Sequence, residues 1–462
     1  MADMDALLTQ VAIASCRYLD SLGERPVRAE LDVAEVRQTI ATGLTDAGTP
    51  AADVLADLIR LGETATVATS GPRYFGFVTG GALPAALAAE MLAVAWDQNA
   101  ALAVMSPLGA VTEEVAGGWI KSLLGLPATA SIGFVTGGQS ANITCLATAR
   151  HHVLAARDWD VETRGLQGSP RVHCIVGADR HTTVEAALRS IGLGTPDVII
   201  ETDAQGRMRP RSLVEALKSC DGPTILCLQA GNVVTGAFDP FEELVGLAHE
   251  AGAWVHVDGA FGAWAAASPA YRPLTSGMEG ADSWAVDGHK VLNVPYDCGY
   301  AMTAHPESHL RTCASTASYL DTDGADEPRD GMAWVFELSR RARGVATYAA
   351  IRSLGRHGVA ALVESCCRNA QRFAAIMGAE PGIEVLNDVV FNQVAVRFDE
   401  SDDRTHAVIS AVQAEGTCWA GGASWHGKAV MRWSVSNWST TPSDIDRSAR
   451  AVIDAHRAVR SR

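Results

Sequence analysis

Lysine is scarce in this chain. Of its 462 residues 37 are Lys or Arg, yet only four are lysines, Lys121, Lys218, Lys290 and Lys428. Positive charge is also outnumbered: 53 acidic residues give a formal net charge of −16 and a pI near 5.2. That balance excludes the clustered cations needed to hold a nucleic-acid backbone. The ten cysteines include no CxxC pair, and Cys366 and Cys367 are adjacent. Neither a zinc site nor a disulfide framework is expected from them. Residues 1–25 carry acids early and arginine late, unlike a signal peptide. The most apolar stretch, Ala82 to Trp96, is interrupted by Glu90 and too short to span a bilayer. No membrane contact and a cytoplasmic location are therefore expected. Internal repeats and low-complexity tracts are missing too. What remains is a globular composition, 48% hydrophobic and 19% charged, long enough for two or three domains.

Three regions emerge from the patterning. Residues 1–75 read as a helical N-terminal arm, with apolar residues at helical spacing in Val33 to Ala41 and Ala51 to Leu61. Residues 76–330 read as a large α/β domain. Its strand candidates are Ile132–Val135, Val172–Val176, Val198–Glu201, Pro223–Gln229, Trp254–Val257, Ser283–Val286 and Gly299–Ala304. Most are nearly all apolar, as strands covered on both faces must be, and helical stretches between them supply the crossovers of a mostly parallel seven-stranded sheet. Asp321 to Gly331, DTDGADEPRDG, reads as a mobile loop that closes over ligand. Residues 331–462 read as a smaller α+β domain, with helices at Arg343–Gly355, Val359–Met377 and His406–Glu415 and strands at Glu384–Leu386, Gln393–Phe398 and Ala429–Val435.

Chemistry concentrates where strands end. Lys121 and Lys218 fall on amphipathic helices, where a solvated side chain is expected, and Lys428 comes directly after Gly427 in a turn. Lys290 instead comes after the strand SWAV and the turn Asp287-Gly288-His289. It should stand at the carboxyl end of a parallel strand, where such sheets bind ligands and where a lysine can form a Schiff base. The strand AWVHV delivers Asp258, then Gly259 and Ala260. That carboxylate reads either as a cap of the next segment or as the partner of a buried cation such as a protonated pyridine. Thr136-Gly137-Gly138-Gln139 lies between a strand and a helix, a turn that exposes N–H groups to an anion. His181, in DRHTTVEAA, is either a polar cap or a ring placed to stack on an aromatic ligand.

Taken together, TGGQSAN, DRHTTVEAA, GNVVTGAFDP, HVDGAFGAW and DGHKVLNVPYDCG, in that order, resemble the group II pyridoxal-phosphate decarboxylases, relatives of the aromatic amino acid, histidine and glutamate decarboxylases. The resemblance runs from about Pro72 to the C-terminus. It implies the fold type I architecture of pyridoxal-phosphate transferases, a homodimer with shared active sites, and an amino acid substrate. Lys290 would carry the cofactor, Asp258 would face its pyridine nitrogen and His181 would stack on its ring. Gly138, Gln139 and His289 would lie at the phosphate, Asn232 near the ring hydroxyl and Ala260 against the ring face. Tyr74, Phe75 and Phe77, or alternatively an interface core, would line a substrate pocket suited to an aromatic or apolar L-amino acid. Arg432 would hold a carboxylate or form a structural ion pair.

Two departures stand out. Asp287 occupies a position where the family commonly has a phosphate-contacting Asn, so its contact is expected through water or backbone. Gly331 falls where animal and plant members carry a loop tyrosine that protonates the substrate carbon, and the loop has no tyrosine after Tyr319. The expected reaction is loss of CO2 from Cα. The same scaffold also permits an aminotransferase or a decarboxylating amine oxidase that forms an aldehyde.

Overall fold

The computed structural model describes residues 4–314 and 329–461. Three helices come first, α1 (Met4–Ser21), α2 (Val33–Ile40) and α3 (Ala51–Ala65), followed by α4 (Pro84–Trp96) and α5 (Pro107–Leu124). All seven expected strands form one sheet: β1 (Ser131–Val135), β2 (His173–Gly177), β3 (Val198–Ile200), β4 (Thr224–Gln229), β5 (Trp254–Asp258), β6 (Ser283–Asp287) and β7 (Gly299–Thr303), in the order β1-β7-β6-β5-β4-β2-β3. β2 to β6 pair in parallel, whereas β7 runs antiparallel to both β6 and β1. β1, β5, β6 and β7 are buried along their whole length, which is why their sequences are apolar without alternation. Because β1, β2, β4, β5 and β6 point the same way, their carboxyl ends share one edge. After β1 the chain enters α6 (Gly138–Ala155), which packs across β5, β6 and β7.

A second, antiparallel sheet contains β8 (Ile383–Val385), β9 (Gln393–Phe398), β10 (Gly421–Trp425) and β11 (Lys428–Ser434), in the order β10-β11-β9-β8. β10 is the strand that patterning does not reveal, since Gly421-Gly422 opens it and glycine weakens a strand signal. The helix Arg343–Gly378 breaks at Gly355, with φ 61° and ψ 179°, where the sequence predicts one helix to end before the next begins. It serves two cores. Val359, Val363 and Cys367 join the core of the first sheet, while Leu362, Cys366, Phe373 and Met377 join that of the second.

Several expectations change here. Lys121 is not solvated: its Nζ donates to the carbonyls of Ala128 and Ala130, at 2.7 and 2.6 Å, and stitches the end of α5 to the approach to β1. Phe75 is not a pocket residue. It is 1% exposed and stacks on Trp433 with ring centroids 3.9 Å apart, Trp433 stacking in turn on Phe373. Its apolar neighbours belong to the second sheet, so the residue is core. Phe77, two residues on, is 66% exposed. Phe75→Ala is expected to cost about 3–5 kcal/mol of stability, read by denaturant unfolding, while Phe77→Ala leaves stability nearly unchanged and raises KM. Equal stability losses in the two variants would contradict this division.

Only the end of the expected loop is described. Residues 321–328 and Tyr319 lie outside the described residues, but the end of the segment is packed. Asp330 Oδ1 accepts from the Ala103 N–H at 2.7 Å, and the Arg329 guanidinium donates to the Ile132 carbonyl. Gly331 is buried, and a Cβ placed on it would run into the Arg340 guanidinium and lie 2.6 Å from the Ala100 carbonyl oxygen. There is no room at Gly331 for a tyrosine side chain.

Candidate active site

The shared edge of the first sheet gathers the chemistry. The turn after β1 brings Gly138 and Gln139, the segment after β2 brings His181, and β4 ends in Gln229 with Gly231 and Val233 beyond it. β5 ends in Asp258 followed by Ala260 and Phe261, and β6 ends in Asp287 with His289 and Lys290 just after. With Phe77 and Thr183 these residues line one cleft that is partly open to solvent.

Lys290 Nζ lies 2.8 Å from Asp287 Oδ2. Burial works to lower the lysine pKa, but the Asp287 carboxylate, with Asp258 further off, outweighs it and holds the ammonium above its ordinary range. Asp287 is 2% exposed and its other oxygen accepts the Gly138 N–H at 2.5 Å. An ionised carboxylate only accepts hydrogen bonds, so Asp287 holds Lys290 and the glycine turn rather than an anion. His289 Nε2 stands 3.5 Å from the same Oδ1, and burial pulls its pKa down.

The glycine turn is a cradle that no side chain could share. A Cβ on Gly137 would lie 2.8 Å from His289 Cε1, and one on Gly138 would lie 2.9 Å from Asp287 Oδ2. The neighbouring strand is equally tight, for a Cβ on Gly299 of β7 would lie 2.6 Å from Gly137 Cα. The N-terminus of α6 opens at this turn, giving N–H groups and a positive dipole end for a phosphate. A lysine, a carboxylate across the cleft and an anion seat are the donor set that pyridoxal phosphate requires. The residues present fit it.

On the opposite side, Asp258 Oδ1 accepts from the Ala260 N–H at 3.2 Å and Oδ2 from Asn142 Nδ2 at 3.3 Å. His181 caps its helix, with Nδ1 2.8 Å from Thr183 Oγ1. Burial lowers its pKa despite Asp258 nearby. Tyr74 is buried and stacks on Trp419 at 5.2 Å, and Phe77 stacks on the same indole at 5.5 Å. Arg432 is 8% exposed on β11 and donates to the Val233 carbonyl at 3.1 Å. Among the described residues no carboxylate pairs with it, so the structural ion pair is not formed.

Asn232 does not join the cleft. Its Oδ1 accepts the N–H groups of Val234 and Thr235 and its Nδ2 donates to the Asp179 carbonyl at 3.0 Å, so the side chain is spent on shaping its own turn. Its neighbours Gly231 and Val233 face the cavity instead. Sequence reading also missed Gln229 and Thr183, though the rule that ligands gather at carboxyl ends of parallel strands singles out Gln229. Tyr296, inside NVPYDCG, carries no sequence signal of its own. Its ring lies 4.2 Å from that of His289, at the rim of the cleft. Among the described residues, no group of three His, Cys, Asp or Glu side chains could hold a metal, and no helix is long and apolar enough to cross a membrane.

A seven-stranded, mostly parallel sheet with a lysine and an aspartate at its carboxyl edge defines a fold type I pyridoxal-phosphate enzyme. Residues 35–399 match the pyridoxal-dependent decarboxylase conserved domain, and the chain belongs to that family. It is 30% identical over 295 residues to the acidic amino acid decarboxylase GADL1 of Bos taurus, a match spanning 62% of this chain and 55% of that protein. It is 24% identical over 468 residues to the phenylacetaldehyde synthase of Rosa hybrid cultivar, covering 96% of this chain and 92% of the relative. In fold it is similar to Oryza sativa TDC solved with PLP and tryptamine, with a TM-score of 0.91, 20% identity and 99% of each chain covered.

Proposed function

We propose that this chain decarboxylates an aromatic or apolar L-amino acid at Cα. The observation that carries the reading is the Lys290 ammonium held by Asp287 in a cleft whose far wall presents Asp258. When bound, pyridoxal phosphate supplies a sink for the electron pair left on Cα as CO2 departs. In this reading Lys290 holds the cofactor and exchanges with the substrate amine. Asp258 would keep the pyridine nitrogen protonated, His181 and Ala260 would lie against the ring, and Gln139 and His289 would hold the phosphate, with Gly138, its N–H on Asp287, keeping the turn open. Arg432, buried and without a counter-ion among the described residues, orients a substrate carboxylate. Tyr74 and Phe77, with Trp419 behind them, favour an apolar or aromatic side chain.

A second reading, release of an aldehyde, is favoured by the filled surroundings of Gly331, which leave no donor there to protonate Cα. The rose relative is named for that outcome. The balanced alternative consumes O2 and water and yields aldehyde, CO2, ammonia and peroxide. Incubating the enzyme with each amino acid in turn, with and without a keto acid, while following CO2, amine, ammonia and peroxide, separates the two. CO2 with a stoichiometric amine supports the first reading; ammonia and peroxide in its place support the second; keto-acid-dependent turnover without CO2 overturns both.

We also propose a homodimer in the cytoplasm. Helices α1 to α3 bury none of their residues, and Leu8, Ile13, Val54 and Leu58 stand exposed on them. Met91, Leu92, Val94, Val104, Met105 and Val111 of the neighbouring segments are exposed as well. Apolar area on that scale fits a second copy. Sedimentation should give twice the chain mass.

A further inference from the structure

Strand β5 reads W-V-H-V-D, and its alternation puts Trp254, His256 and Asp258 on one face, against α6. These side chains are buried, as are Ser283 at the start of β6 and Asn142 on α6. They form one hydrogen-bond chain. Trp254 Nε1 lies 3.0 Å from Ser283 Oγ, Ser283 Oγ 2.9 Å from His256 Nδ1, His256 Nε2 2.9 Å from Asn142 Oδ1, and Asn142 Nδ2 3.3 Å from Asp258 Oδ2. Asn142 Nδ2 also lies 3.3 Å from Thr183 Oγ1, which is 2.8 Å from His181 Nδ1.

The chain has a direction, fixed by chemistry. An amide oxygen only accepts, so His256 Nε2 carries the hydrogen received by Asn142 Oδ1, and the bare Nδ1 of the neutral ring accepts from the Ser283 hydroxyl, which in turn accepts from the Trp254 N–H. The Asn142 NH2 is turned toward Asp258 and Thr183. Thr183 Oγ1 accepts from it and passes its hydrogen to His181 Nδ1, so the His181 proton sits on Nε2. Burial supports a neutral His256, lowering its pKa to about 4.

We propose that Asn142 and His256 are positioning residues: through this directed chain they aim Asp258 as an acceptor for the cofactor ring N–H and hold His181 as an Nε2–H donor facing the substrate. The proposal rests on the reading that Asp258 meets the ring nitrogen. Loss of the outer hydrogen bond that orients a metal-binding side chain typically costs about 10- to 100-fold in activity, and an effect of that order is expected here.

The test uses holoenzyme loaded with cofactor labelled at the ring nitrogen with 15N, followed by its chemical shift across pH. Asn142→Leu should lower the titration midpoint of that nitrogen by about one pH unit and reduce kcat about tenfold, with KM little changed. His256→Leu should do the same, and His256→Gln, which keeps an N–H for the Asn142 oxygen, should restore most of the loss. In the wild type, histidine ring 15N shifts should show His181 protonated at Nε2 and bare at Nδ1; the opposite tautomer would overturn the proposal. So would an unchanged ring-nitrogen midpoint in Asn142→Leu. Should that variant not fold, Asn142→Ala, which removes the amide without adding a charge, should show the same loss, and wild-type behaviour there would likewise sink the idea. Asp258→Asn separates the levels. If the nitrogen titrates normally in it, the assignment of Asp258 itself fails; if it shifts while Asn142→Leu does not, only the relay fails.

Discussion

Replacing Lys290 by alanine is expected to leave borohydride with nothing to trap. Lys218 pairs with Glu215 on the surface, Lys428 is exposed at the start of β11, and Lys121 is committed to two carbonyls, so none of them reaches the cleft. Turnover should fall by at least about a thousandfold. Reduction followed by peptide mapping checks the assignment, and cofactor recovered on any of the other three lysines would refute it. The variant should also be less stable without cofactor. Removing one partner of a buried ion pair costs about 3–5 kcal/mol, because the remaining charge is left uncompensated, and here the remaining charge is Asp287. Adding Asp287→Asn to Lys290→Ala should recover most of that loss. The pH dependence has a definite sign. The folded-state pKa of Lys290 is raised, so the stabilisation is complete below the ordinary lysine range and disappears as pH climbs through the raised value. Unfolding of cofactor-free wild type and variant should therefore differ at neutral pH and converge in strong alkali.

The second large effect lies away from the cleft. Arg340 and Glu113 are each 1% exposed, and the guanidinium meets both carboxylate oxygens, at 2.5 and 2.7 Å. Arg340 also donates to the Ala100 carbonyl at 3.0 Å, and its own N–H reaches Asn99 Oδ1. Arg340→Ala would bury Glu113 without a partner and release the segment from Asn99 to Ala103. A loss of about 3–5 kcal/mol is expected in denaturant unfolding. The double substitution Glu113→Leu with Arg340→Met should cost far less, since it removes both desolvated charges together. A single variant no less stable than the double one would show that the pair matters little.

Sequence reading locates the strands and the carboxyl-edge residues because both obey short-range rules. A short apolar run such as SWAV, bounded by turn residues, reads as a strand covered on both faces, and the residues just beyond the end of a parallel strand lie at the ligand edge. Lys290, Asp258, His181 and the Gly137-Gly138 turn are legible for that reason. The failures share a different cause. Phe75 and Phe77 look alike in the sequence, and only the second sheet, built from residues more than 300 positions away, decides that one is core and the other faces the cleft. Asn232 misleads because a turn-forming asparagine and a ligand-binding one have the same local surroundings. Gly331 reads as part of a loop, but its neighbours are Arg340 and Ala100, brought there by the fold. Asn142 and His256 escape notice because a polar side chain on a buried face looks anomalous only once its partners are seen.

The segment from Tyr74 to Gly81 belongs to two structures at once. Phe75 is locked into the second sheet, and a side chain on Gly76 would strike the Trp419 ring. Four residues on, a Cβ at Gly80 would collide with the Lys290 carbonyl, and the Gly81 N–H is held by Asn293 at 2.8 Å. Outside Phe77, this wall of the cleft thus has almost no freedom to be re-cut: a different residue at Phe75, Gly76, Gly80 or Gly81 disturbs either the lysine or the neighbouring core. Altered substrate preference in this scaffold should therefore arise by drift at Phe77, the exposed side chain of this stretch, and around Val233, while Phe75, Gly76, Gly80 and Gly81 tolerate little change.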